Sequence, residues 1–81
     1  MNIYSLKDVK SGYMSLMLYK NDELAVRAFK NMLQSGERNQ VTMNPEDFEL
    51  YAVGSIDLDS GIIVPEVRFV CNHTIVGVWY E

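Results

Sequence analysis

Cys71 and His73 stand two positions apart, a spacing that puts both side chains on one face of a strand, where a thiolate beside an imidazole could act as a nucleophile. Nothing else in the chain completes such a site. A lone cysteine is ordinarily a small buried hydrophobe, and one cysteine with one histidine falls short of the four ligands of a structural zinc. The acidic pairs Glu46/Asp47 and Asp57/Asp59 read as cap and turn chemistry rather than as an acid/base dyad. The run DLDSG (57–61) lacks the further oxygen ligands of a calcium loop, and neither a phosphate-binding P-loop nor a GxGxxG run is present. The expectation is a protein without catalysis, metal or cofactor.

Binding chemistry is better represented. Arg27, Lys30, Asn31 and Gln34 follow i, i+3, i+4, i+7 spacing, which makes one polar helix face, and Lys20 and Arg38 flank its ends. Such a face could track phosphates. The plainer reading is a solvated helix surface in which Glu23 pairs with Arg27. Tyrosine is the second resource. On an alternating strand Tyr13 and Tyr19 share a face opposite Met14, Leu16 and Leu18, and with Tyr4 or Tyr51 across from them they would form a platform on which bases stack. Phe29, Phe48 and Phe69 read as core, and tyrosine is in any case favoured in strands and at interfaces.

These residues need elements to position them. Residues 2–8 and 13–19 read as two strands, and the turn VKSG between them makes a hairpin in which Gly12 can take positive φ. Asn21 or Asp22 caps a helix whose apolar stripe is Ala25, Ala28, Phe29, Met32 and Leu33, with Gly36 just past its end. ERNQVTMN reads as a polar loop and PED as a short turn. FELYAVGSI, the turn DLDSG and IIVPEVRFV then form a second hairpin, with Pro65 marking an edge or a bulge. Cys71 to His73 interrupt the pattern, and TIVGVWY is either a fifth strand or a tail whose Ile75, Val76, Val78 and Trp79 need a partner surface. The predicted architecture is one α+β domain over residues 1–81: a ββαββ antiparallel sheet with one helix packed on one face and room for a fifth, C-terminal strand.

Size and charge add constraints. At 81 residues the chain holds one small domain with a marginal core, so self-association as a homodimer is expected. The formal charge of -4 argues against an unselective polyanion binder. Its distribution is uneven. Residues 1–40 carry six basic and four acidic side chains, whereas residues 41–81 carry only Arg68 against seven acidic ones, leaving +2 and -6. One cysteine cannot form an internal disulfide, and no apolar run reaches membrane-span length, which predicts a soluble intracellular protein with no membrane contact.

The segments NIYSLKDVKSG, KNDELAVRAFKNML and NPEDFELYAVGSIDLDSG resemble the small nonstructural protein of the gokushovirus group of microviruses, which are single-stranded DNA bacteriophages. The shared pattern is ND with A-x-R-x-F in the helix, then P-x-D-(Y/F)-x-L-(Y/F)-x-(V/L)-G and an acidic D-x-x-(S/T)-G turn. Here it falls on Asn21, Asp22, Ala25, Arg27, Phe29, Pro45, Asp47, Phe48, Leu50, Tyr51, Val53, Gly54, Asp57, Ser60 and Gly61. The apolar tail NHTIVGVWYE departs from the polar or helical ends typical of the group. The resemblance implies a phage-encoded accessory protein in the host cytoplasm, outside the virion, described as a DNA-binding factor for genome replication or single-strand production. On that reading Lys20, Arg27, Lys30 and Arg38 would meet phosphates while Tyr13 and Tyr19 stack on single-stranded DNA. The alternative is a module that engages a host or phage replication protein without nucleic acid.

Overall fold

In the computed structural model the described residues, 1–36 and 40–73, form four strands and a main helix. The strands are β1 (Asn2–Asp8), β2 (Gly12–Tyr19), β3 (Phe48–Ile56) and β4 (Ile63–Asn72), and all neighbouring pairs are antiparallel in the order β2-β1-β3-β4. Because β1 lies between β2 and β3, the chain must cross it to pass from one to the other. The connection that does so carries helix α1 (Asp22–Leu33), the short helix α2 (Gln40–Met43) and a 3₁₀ turn over Pro45–Asp47. This is the expected α+β architecture. Arg38 and the tail residues Ile75, Val76, Val78 and Trp79 lie outside the described residues, and so does the fifth-strand question.

Helix α1 starts where its first free amides find an acceptor: Asn21 Oδ1 takes the Leu24 N–H at 2.9 Å. Asp22 and Glu23 place negative charge in the first turn and Lys30 positive charge in the last, both favourable to the helix dipole. The helix ends at Gln34, whose N–H reaches the Lys30 carbonyl at 3.1 Å, and Gly36 follows at φ +79°. Its buried residues are Ala25, Val26 and Phe29. They belong to one cluster with Tyr4 and Leu6 of β1, Phe48, Leu50 and Ala52 of β3, Cys71 of β4, and Val41. Two expectations are corrected here. Residues 40–43 are helical rather than a polar loop, because Val41 is apolar enough to be drawn into the core. Cys71 and Asn72 extend β4, because Cys71 pairs with Leu50 and is fully buried.

Register shifts set the faces of the sheet. Along β1 the step from Ser5 to Lys7 is two residues, but their partners on β2 are Leu16 and Tyr13, three apart, so β2 carries one extra residue. An odd insertion reverses which side every later residue faces. At the bulge the Ser5 hydroxyl, fully buried, donates to the Met14 carbonyl at 2.9 Å. Further shifts occur between Ile3 and Tyr4 and at two places between β3 and β4, one of them beside Pro65. Pro65 thus sits on an edge strand and next to an irregularity, as a residue with no N–H requires.

Candidate functional site

Cross-strand partners share a face, so the register sorts the side chains. Tyr4, opposite Met17, and Leu50, opposite Cys71, face the core. Ile3, opposite Leu18, Ser5, opposite Leu16 and Tyr51, and Lys7, opposite Tyr13 and Glu49, occupy the other, open face. Phe69 pairs with Tyr51 and joins them.

The open face carries an aromatic row. Tyr13 and Tyr51 meet edge to face with ring centroids 5.8 Å apart, and Tyr51 meets Phe69 in the same way at 5.6 Å. The first contact spans β1, where the small Ser5 leaves room between the flanking strands. Lys7 stands over both tyrosines, its Nζ 5.6 Å from the Tyr13 centroid and 5.5 Å from that of Tyr51, a cation–π arrangement. Tyr13 and Phe69 are 49% and 41% exposed, so ring surface remains for a ligand. Leu16 and Leu18 extend this face at 66% and 49% exposure.

The predicted platform is therefore rearranged. Tyr13 and Tyr19 lie on opposite faces, because the β2 bulge separates them. Tyr19 turns to the core side and tilts against Tyr4 at 6.0 Å. For the same reason Leu16 and Leu18, expected opposite Tyr13, share its face and point away from the core, and Met17 packs against the core. Phe69, expected in the core, is on the open face because it stands opposite Tyr51. Lys7 and Phe69 are the members that sequence reasoning passed over. The signal for Lys7 was its place across the first hairpin from Tyr13.

The basic residues do not gather around these rings. Arg27 is exposed and faces Glu23 at 3.8 Å, one helical turn away, and Lys30 is half-buried in the last turn. Both belong to α1, whose buried side joins the core beneath the sheet, so they lie across the sheet from Tyr13. Lys20 is exposed just past β2.

A polar cluster joins α1 to the sheet. Tyr4 donates its hydroxyl to Asp22 Oδ1 at 2.6 Å and accepts from Asn2 Nδ2 at 3.1 Å. Arg68 of β4 donates through both terminal nitrogens to Asp22 at 2.7 and 2.8 Å. The Arg68 guanidinium, followed by the Tyr4 hydroxyl, holds the Asp22 carboxyl below its ordinary value, although partial burial opposes them. Burial, and then the hydrogen bond to Asp22, raise the Tyr4 phenol.

Catalytic chemistry finds little support at Cys71. Burial pushes its thiol up to about 12, which keeps it protonated at neutral pH and removes the thiolate a nucleophile would need. Among the described residues no three histidine, cysteine, aspartate or glutamate side chains could together hold a metal ion. No helix of the described residues is long and apolar enough to cross a membrane.

Fold and site together define a small α+β protein whose distinctive chemistry lies on a surface: one antiparallel sheet with an exposed aromatic row. The family model of the phage ORF5 protein matches residues 1–76, and the chain belongs to that family. It is a phage protein. No curated protein and no solved structure matches it.

Proposed function

We propose that this protein is a nonstructural accessory factor of gokushovirus-type microviruses that binds single-stranded DNA through the open sheet face and assists genome replication or single-strand production in the host cytoplasm. The observation that carries the reading is the Tyr13–Tyr51–Phe69 row with Lys7 standing over two of its rings. Bases present flat π surfaces that stack on such rings without regard to sequence, and an ammonium at the same place meets the phosphates. Arg27 and Lys30 of α1 take a secondary part, since they lie across the sheet from the rings, and so does Lys20, just past β2. The factor acts by binding, not by catalysis.

Titration of labelled oligonucleotides, followed by fluorescence anisotropy over a salt series, tests the reading. Micromolar affinity that weakens as salt rises is the expected result; no binding at about 50 mM salt sinks it.

The formal charge of -4 favours a second reading, in which the apolar open face engages a host or phage replication protein. A stoichiometric partner retained by the immobilised protein after nuclease treatment, together with no oligonucleotide binding, would select it.

A further inference from the structure

The two outer strands of the sheet differ in how they protect their unpaired backbone. An edge strand offers free N–H and C=O groups to any passing strand, and proteins block that with charges, prolines and bulges placed on the edge. Strand β4 has all of these: Pro65 without an N–H, Glu66 and Arg68 as charges, and two register shifts against β3. Strand β2 reads GYMSLMLY over Gly12–Tyr19, with no charge and no proline, and its one irregularity lies at the Tyr13 end. Leu16 and Leu18 remain exposed along the regular half, beside that open edge. Among the described residues nothing pairs with the outer side of β2.

We infer that β2 is a self-pairing edge, joining two copies of this chain antiparallel through β2 into one eight-stranded sheet. Symmetry selects the second copy as occupant. In a twofold contact position i meets j while j meets i, and a position on the axis meets itself, so a strand with no charge sets no like charges against each other in any register. The exposed Leu16 and Leu18 of one chain come beside those of the other, where burial stabilises the contact. Strand β4 cannot be used in this way, since Pro65 interrupts its donors and its irregularities bend it.

The geometry has a further consequence. The twofold axis of an antiparallel edge pair stands perpendicular to the sheet, which keeps the same face of both halves on one side. The two Tyr13–Tyr51–Phe69 rows then share a single surface. Association itself does not depend on what that surface binds.

Sedimentation velocity on the nuclease-treated full chain, from about 1 to 100 µM, is the test. The expected result is a species of twice the 9.3 kDa chain mass. Leu16→Lys, at a site already exposed to water, should weaken the association at least tenfold while the circular dichroism spectrum stays unchanged. Val67→Lys, at an equally exposed position on β4, should leave it intact. A monomer at every concentration overturns the proposal, and so does association lost in the β4 variant but kept in the β2 variant. Failure of the DNA reading shows separately, as a dimer that binds no oligonucleotide.

Discussion

Asp22, the first residue of α1, accepts both guanidinium nitrogens of Arg68 at 2.7 and 2.8 Å, across 46 positions of sequence. The contact fastens the edge strand β4 to the start of the helix, and Tyr4 of β1 completes it from below. Both charged side chains are nearly half exposed, so solvent weakens the attraction, and the expected coupling in a double-mutant cycle with Asp22→Asn and Arg68→Met is at most about 1 kcal/mol. The coupling should shrink in 1 M salt. Tyr4→Phe removes a shorter and less exposed bond, and should cost about 1 kcal/mol by urea denaturation. A Tyr4→Phe protein as stable as the parent would contradict the description of this cluster.

The two ends of the pH scale are controlled by different groups. Asp22 has a folded-state pKa below its ordinary 3.8, so the folded chain binds fewer protons there than the unfolded one. Its contribution is complete above that value and is lost as pH falls through the lower, folded one. Cys71 behaves oppositely. Its thiol moves from 9.0 to about 12, so between these values the folded state keeps a proton that the unfolded state releases, and stability falls as pH rises. Urea midpoints measured from pH 8 to 11 should decline, with a contribution approaching about 1.4 kcal/mol per pH unit from this group. Cys71→Ala should flatten the decline between pH 9 and 10, while above pH 10 the raised Tyr4 phenol keeps part of it, and an unchanged slope below pH 10 would show that the thiol is not the group responsible.

Gly54 marks a close approach within the sheet. It pairs with Ile3 on one side and Pro65 on the other, and a Cβ at this position would come within 2.6 Å of the Val64 carbonyl oxygen. That oxygen belongs to backbone and cannot swing aside. Gly54→Ala should therefore destabilise by about 1–3 kcal/mol. Chemical denaturation showing an unaltered midpoint would contradict the register between β3 and β4.

For the aromatic row the informative comparison is between faces. Phe69→Ala or Tyr13→Ala removes one stacking surface and should lower oligonucleotide affinity by about fivefold to a hundredfold. Lys7→Gln should reduce the slope of log affinity against log salt by about 0.7, the share of one phosphate contact on a single strand. Arg27→Gln, across the sheet and already beside Glu23, should change neither much. A variant set in which only the helix substitution matters would move the interface to α1.

The sequence alone carried the four strands, the main helix with its cap at Asn21 or Asp22, both hairpins and the edge or bulge at Pro65, because each follows from local rules. Alternation, a capping side chain and a residue without an N–H act on the chain within a few positions. The family pattern is equally local. The facing of β2 was not legible, since one extra residue between Tyr13 and Leu16 leaves the apolar alternation intact while exchanging its two sides. That choice was made by Met17 and Tyr19 packing onto the core, a contact with residues distant in sequence. The strand order β2-β1-β3-β4 and the meeting of Asp22 with Arg68 are of the same kind. So is the aromatic row, drawn from three strands that periodicity describes one at a time.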